Sequence, residues 1–357
     1  MNDRERMVAT LKCEKTDRAP FIPLFGPWGA TLERWKKEGL PDNNWQAGIG
    51  FDRQWEQIPV NLGYSPAFKE EVVEDRGDVQ IWRDALGILK LDRKDRTSMP
   101  QFLEYPVKGR EDWEKLKAER LDPDAPARFP ADWAEKVRRW QTRNHALVLG
   151  YYPYGVLGTP RNMMGAEEFL ISLHTQSDLV KDMMNYLSDF WIVIYEKVTA
   201  EVEVDIIHIW EDMCSRNGSL ISGKMFREFM APCYRKIKAF AKNKGITLLS
   251  VDSDGDVREL VPWMMETGVN VFWPFEVQAG CDIREYRRQH PKLGILGGLD
   301  KRALAKGKDE MEAELKRAEE MLKRPGYVPA LDHLVPPDVS LENYRHFMGR
   351  LKEIIGA

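Results

Sequence analysis

Between residues 205 and 331 short apolar, β-branched runs alternate with long amphipathic segments, and no other feature constrains the fold of this chain as strongly. The runs are Asp205-Ile-Ile-His-Ile-Trp210, Ile246-Thr-Leu-Leu-Ser-Val251, Val269-Asn-Val-Phe-Trp273, Leu293-Gly-Ile-Leu-Gly297 and Tyr327-Val-Pro-Ala-Leu331. Each has the length of a strand. The stretches between them, such as Ser222 to Lys244 and the Glu-, Lys-, Ala- and Leu-rich Lys308 to Lys323, read as helices. Strand–helix–strand units pair their strands in parallel through right-handed crossovers. Five in succession leave a closed barrel or a doubly wound sheet. No Gly-x-Gly-x-x-Gly follows an early strand, and polar residues follow nearly every strand rather than one switch point. The expected fold is therefore α/β, a (β/α)8 TIM-type barrel.

The first half is less regular. Pro20 to Leu24 and Ala146 to Tyr151 read as further strands. Between them Glu70 to Glu74, Asp78 to Trp82 and Gly87 to Leu91 alternate like antiparallel strands, with turn signals at Asp75-Arg-Gly77 and Asp84-Ala-Leu-Gly87. They are expected to form an N-terminal β-hairpin excursion from the barrel. Arg110 to Arg128 reads as a helix plus a surface connection. With no low-complexity linker and no repeat, residues 1–357 are expected to form a single barrel domain.

A net charge of −4 with both signs interspersed offers no basic field for nucleic acid or an anionic membrane, so neither partner is expected. The N-terminus is charged, and no run of 18 apolar residues occurs, so neither a signal peptide nor a membrane span is expected. Cys13, Cys214, Cys233 and Cys281 lack paired spacing, which points away from a disulfide framework and toward a reducing, cytoplasmic setting. A homodimer remains open.

In a parallel barrel the residues just past the strands face the ligand. Reading only those positions gives Glu211 and Asp212, with Cys214 close behind; Asp252 and Asp254; Glu276; Asp300; and Asp332 with His333. Five consecutive strands thus end in carboxylates, which repel one another unless protonated, paired with Lys or Arg, or neutralised by a metal. The competing reading is that these acids cap the following helices. Asp252-Ser-Asp254-Gly-Asp256 is not a calcium loop, because its twelfth position is Trp263 instead of Glu. His208, inside a strand, reads as a packed core histidine rather than a ligand, and Cys214 as either a soft metal ligand or a small buried residue. His333 is the strongest single candidate: it follows a strand, adjoins Asp332 and precedes a Pro-Pro turn. Among twelve tryptophans, Trp28, Trp210 and Trp273 stand at strand ends, where they either pack the core or line a pocket for a flat ligand. Tyr152 and Tyr154 follow the central strand in the same way.

Tyr327-Val-Pro-Ala-Leu-Asp-His333, followed by Pro336-Pro337-Asp338 and Glu342-Asn343, resembles the C-terminal element of the uroporphyrinogen decarboxylase superfamily. Gly297-Gly298-Leu-Asp300, Trp210-Glu-Asp212 with Phe226 to Pro232, and Arg4-Glu-Arg6 through Arg18-Ala-Pro20 are similar to other elements of that family. The resemblance implies the barrel fold and one of two chemistries. True decarboxylases carry an Arg-rich element near the N-terminus, where this chain reads Phe25-Gly-Pro-Trp28-Gly-Ala-Thr. A polycarboxylate needs cationic clamps, so porphyrinogen decarboxylation is disfavoured. The zinc methyltransferases of the superfamily carry a His-x-Cys pair where this chain has Asp252-Ser-Asp254. The resemblance still implies a methyltransferase that passes a methyl group from a small methylated substrate, such as an O-methyl aromatic, to a corrinoid on a partner protein. Zn²⁺ or another divalent cation would be held by Glu211, Asp252, Asp254 and His333, which are also the catalytic candidates. Trp28, Tyr152, Tyr154, Trp210, Asp212, Glu276 and Asp300 would contact substrate. The alternatives are a decarboxylase or lyase of a small acid working through His333 and an acid, and a non-catalytic binding protein on the same barrel.

Overall fold

The computed structural model describes residues 1–42, 44–94 and 100–357. Its strands, in chain order, are β1 (Glu56–Gln57), β2 (Glu71–Arg76), β3 (Val79–Arg83), β4 (Leu89–Arg93), β5 (Gln101–Glu104), β6 (Leu147–Leu149), β7 (Ile206–Trp210), β8 (Cys214–Ser215), β9 (Gly218–Ser219), β10 (Leu248–Ser253), β11 (Val271–Pro274), β12 (Gly294–Leu296) and β13 (Tyr327–Val328). Seven of these form one curled sheet, ordered β1-β6-β7-β10-β11-β12-β13 and parallel at every pairing.

Period-two alternation sorts the side chains of that sheet into two layers. Val148, Ile206, Leu248, Val271, Leu296 and Val328 pack together inside the curl. Their neighbours Leu149, Ile207, Leu249, Phe272, Ile295 and Tyr327 belong to the outer core beneath the helices. Four tryptophans, Trp35, Trp113, Trp140 and Trp191, are fully buried in that outer layer, so for them core packing is the right reading. The helix Asp3–Leu11, capped by Asn2 and Glu5, lays Met7 and Leu11 against the inner cluster and stops one end of the lumen.

The expected eighth strand is not one. Residues 20–24 pair with no strand, yet Ile22 and Leu24 lie in the inner cluster with the residues of the seven strands. Pro20, Pro23 and Pro27 explain this, because proline cannot donate to a ladder. The segment is fastened near its ends. The N–H of Phe21 donates to the Asp52 carboxylate and that of Asp52 to the Phe21 carbonyl, both at 2.8 Å. At the other end Trp28 and Val335 exchange hydrogen bonds with Val335 and Gly26, each at 3.1 Å. The wall is therefore seven paired strands and one side-chain-held segment.

The excursion is larger than a hairpin. β2 to β5 make a four-stranded antiparallel sheet, and β5, absent from the sequence expectation, pairs with β4. The helix expected over Ser222 to Lys244 is present but contains a π turn at Phe226–Met230. The widened turn sits just before Pro232, whose ring would clash with the Glu228 carbonyl in a regular helix. Among the described residues no helix is long and apolar enough to cross a membrane.

Candidate active site

Strand register builds the site. In β7, β10 and β11 the paired positions Trp210, Asp252 and Trp273 form one inward layer, and His208, Ser250 and Val271 form the layer below it. Adjacent strands lie roughly 5 Å apart, so Asp252 stands between two indoles. These residues line a cavity of about 130 Å³ together with Trp55, Gln57, Val148, Gly150, Tyr152, Ile206 and Leu296, with Leu11 at its floor. Asp252, expected just past its strand, lies within it, because β10 runs two residues further than its apolar pattern.

Gly150 is required where it stands. It has φ +93°, and a Cβ there would lie 2.0 Å from the His208 carbonyl oxygen. Gly155 is held to the same strand, since its Cβ would come within 1.6 Å of the Trp210 carbonyl.

His208 is buried, as expected of a core residue, but its ring is part of the cavity wall. It stacks on Trp273 at 4.9 Å between centroids. The Trp273 indole N–H donates to Ser250 Oγ at 3.0 Å, which leaves the serine hydrogen free for Nδ1 of His208 at 3.3 Å. The other ring nitrogen, Nε2, faces Asp252 Oδ1 at 3.3 Å. The approach is off the line of a hydrogen bond, so Oδ1 is buried without a hydrogen-bond partner. Burial pushes the Asp252 carboxyl above its usual range, against the pull of His208.

Glu211, one residue past β7, is fully buried and occupied otherwise. It accepts from the backbone N–H groups of Val156, Leu157 and Gly158 at 3.0, 2.8 and 3.1 Å and from the Tyr234 hydroxyl at 2.5 Å. Burial raises its carboxyl to about 7 although all four donors favour the charged form. Its place is structural, at the start of the helix Gly158–Met164.

At the mouth His333 pairs with Asp254, Nε2 to Oδ2 at 3.4 Å, and not with its neighbour in sequence. Asp332 turns inward, where it accepts from Val277 and Lys301 N–H at 2.8 and 3.1 Å. Burial opposes protonation of His333, but the Asp254 pair outweighs it and raises the histidine. The ring stacks on Phe25 at 5.0 Å, and the half-exposed Trp28 lies beyond at 6.4 Å. Glu276 accepts from Gly255 N–H and faces Lys301 Nζ at 3.4 Å. Asp212, at φ +44°, binds Arg161 at 3.0 Å, and Arg161 covers Trp210. Asp300 binds Arg302 at 2.7 Å and caps the Arg302 N–H.

The sequence candidates therefore separate. Asp252 and Trp210 meet in the lumen, with the exposed Tyr152 at its rim; His333, Asp254, Trp28 and Glu276 stand at the mouth; Glu211 and Asp300 hold backbone. Tyr154 lines a different cavity, with Leu62, Gly63 and Tyr64. Cys214 is buried, with its thiol pushed up to about 12 by desolvation. Trp55, Gln57 and the lumen role of His208 were missed. Trp273, expected to pack the core or line a pocket, does line it, and for His208 the signal was available as period-two spacing with Trp210 on β7.

The metal implied by the resemblance does not fit these donors. Both Glu211 oxygens are engaged, and Asp252 and Asp254 face separate histidines. Among the described residues no three His, Cys, Asp or Glu side chains are placed to share one ion.

A curled parallel sheet with helices outside and a pocket in its lumen, reaching up to the carboxyl ends of the strands, defines the class of TIM-like barrel proteins. The family model of uroporphyrinogen decarboxylase (URO-D) matches residues 77–354, and the chain belongs to that family. A solved structure titled "methyltransferase from Methanosarcina mazei" superimposes with a TM-score of 0.61, covering 99% of each chain at 18% identity. At that identity the likeness is one of fold. No curated protein matches the chain.

Proposed function

We propose that this protein is a methyltransferase that takes a methyl group from one small methylated substrate held in the lumen. The size and lining of the cavity carry the reading. At about 130 Å³ it is near the roughly 150 Å³ of cavities that take a single benzene-sized molecule, and far too small for a tetrapyrrole. No lysine or arginine is among its lining residues, so a polycarboxylate would find no clamp there.

Methyl transfer breaks a bond between carbon and a heteroatom, and the heteroatom keeps the electron pair. The His208–Asp252 pair stands where that atom would lie. It can lend a proton to a departing oxygen or hold the charge of a nitrogen. Trp210 and Trp273 would orient the substrate and exclude water, with the exposed Tyr152 at the rim. The acceptor is a corrinoid carried on a partner protein, which supplies the nucleophile when bound. No step is routed through a divalent ion, because the side chains do not gather to hold one.

The His333–Asp254 pair at the mouth, which raises the histidine, favours one second reading, a proton-transfer lyase acting on a small acid. One assay separates the two. The protein is mixed with reduced cobalamin and a panel of small O- and N-methyl compounds, with and without added zinc, and the cobalamin absorbance is followed. The expected result is zinc-independent loss of the reduced form, abolished in Asp252→Ala. Carbon dioxide release from small acids, with no methyl transfer from any compound, would replace this reading by the lyase.

A further inference from the structure

The layer that holds Asp252 has an unusual makeup for a barrel lumen. Trp210 and Trp273 flank the carboxylate by strand register, and Trp55 and Tyr152 complete the ring of aromatic walls around the same cavity. Trp55 and Trp273 stand 6.2 Å apart at 50°, and Tyr152 meets Trp210 edge-on at 4.9 Å. Aromatic faces carry negative potential and attract cations. One oxygen of that carboxylate lies against His208 Nε2 at 3.3 Å without hydrogen-bond geometry, so the protein compensates the carboxylate only in part. Lys301 is committed to Glu276 and Asp332, and Arg161, paired with Asp212, lies over the Trp210 ring at 5.4 Å and is not among the residues that line the cavity. The cavity therefore presents one carboxylate and several aromatic side chains, and no lysine or arginine lines it.

We propose that the lumen binds a small methylated ammonium ion, with its charge against the Asp252 carboxylate and its methyl groups against Trp55, Tyr152, Trp210 and Trp273. A primary ammonium is a poor match, because its three N–H groups need acceptors and the wall offers few beyond Asp252 and Gln57. A tertiary or quaternary ammonium places apolar methyl groups on indole faces and needs at most one hydrogen bond, which the cavity-facing side of the Asp252 carboxylate can accept. The volume suits a trimethylated head group. This inference rests on the reading of the lumen as the substrate site and names the class of that substrate.

The test is calorimetric titration of the full chain with trimethylammonium and tetramethylammonium chloride, beside tert-butanol as an uncharged compound of like shape. The expected result is saturable binding of the ammonium ions, at least roughly ten-fold tighter than the alcohol, since a desolvated cation–π site is worth about that ratio. In Asp252→Asn the preference for charge should collapse while the alcohol binds as before. Trp273→Leu should weaken every ligand. The comparison of charged and neutral ligands needs no variant, so a poorly folding mutant does not stall it. Equal affinity for alcohol and ammonium, or no saturable ammonium binding by the folded protein, overturns the proposal. Ammonium binding without methyl transfer to cobalamin leaves the site assignment standing and removes the methyltransferase reading. Transfer from O-methyl compounds with no preference for charge does the reverse.

Discussion

Two acids on neighbouring strands, Glu211 fully buried and Asp252 half-buried, occupy near-equivalent places in sequence and opposite places in chemistry. Glu211, past the end of β7, meets three backbone N–H groups and a tyrosine hydroxyl. Asp252, near the end of β10, faces a cavity, and one of its oxygens meets nothing within hydrogen-bond geometry. Both carboxyls are pushed upward by burial. What separates them is where the neighbouring backbone turns. The chain after β6 curls its N–H groups onto Glu211, whereas the inward layer gives Asp252 only rings. A carboxylate at a strand end is a fastening when donors converge on it and a binding group when they do not.

The sharpest way to break the contrast is to remove Glu211. Glu211→Ala strands its four donors in the interior and is expected to cost about 3–5 kcal/mol in chemical denaturation, the range seen when one partner of a buried charged network is lost. A loss below about 1 kcal/mol would place Glu211 with Asp252 instead. Next in size is pH. A folded carboxyl raised from an ordinary 4.5 to about 7 holds its proton more tightly than the unfolded one, so its contribution is full below 4.5 and is lost as pH rises through about 7. The change is on the order of 3 kcal/mol, and Glu211→Gln should flatten that part of the stability profile.

Asp252→Asn should behave in the opposite sense. Removing a buried charge that holds no backbone is expected to leave stability within about 1 kcal/mol of wild type or to raise it. Loss of several kcal/mol in urea would erase the distinction. The smallest effect belongs to the mouth. His333 is raised by Asp254, so its contribution is present at acid pH and fades as pH rises through its folded value. Asp254→Asn should lower the His333 pKa in an NMR titration. Its stability cost should stay under about 1 kcal/mol, since the Asp254 side chain is 39% exposed.

Much of this was legible in the residues. The five C-terminal strands stand where alternation and β-branching put them, offset by two residues or fewer at their starts. Periodicity could not reveal that residues 20–24 stay unpaired, although the prolines there were visible, because apolar content hides missing donors. β5 was missed because Gln101-Phe-Leu-Glu104 is too short to carry a pattern alone. At the site, sequence identified the acids but not their partners. Asp332 adjoins His333 in the chain, yet opposite pleats and tight turns send the two side chains to different neighbours. Partner choice is a property of three strands at once, and one strand does not contain it.

The unpaired segment at residues 20–24 makes this barrel a hoop with a clasp. A hoop closed by ladders throughout has a fixed girth, because widening it breaks a run of backbone hydrogen bonds together. Here one stave is held by apolar side chains along its length and by fastenings near its ends. Apolar contacts are non-directional and tolerate small displacements that a hydrogen bond does not. Phe25, on the same stave, touches both Trp273 in the lumen and His333 at the mouth. Any change in girth is thus felt first at the ring that separates the inner pocket from the outer acid–base pair.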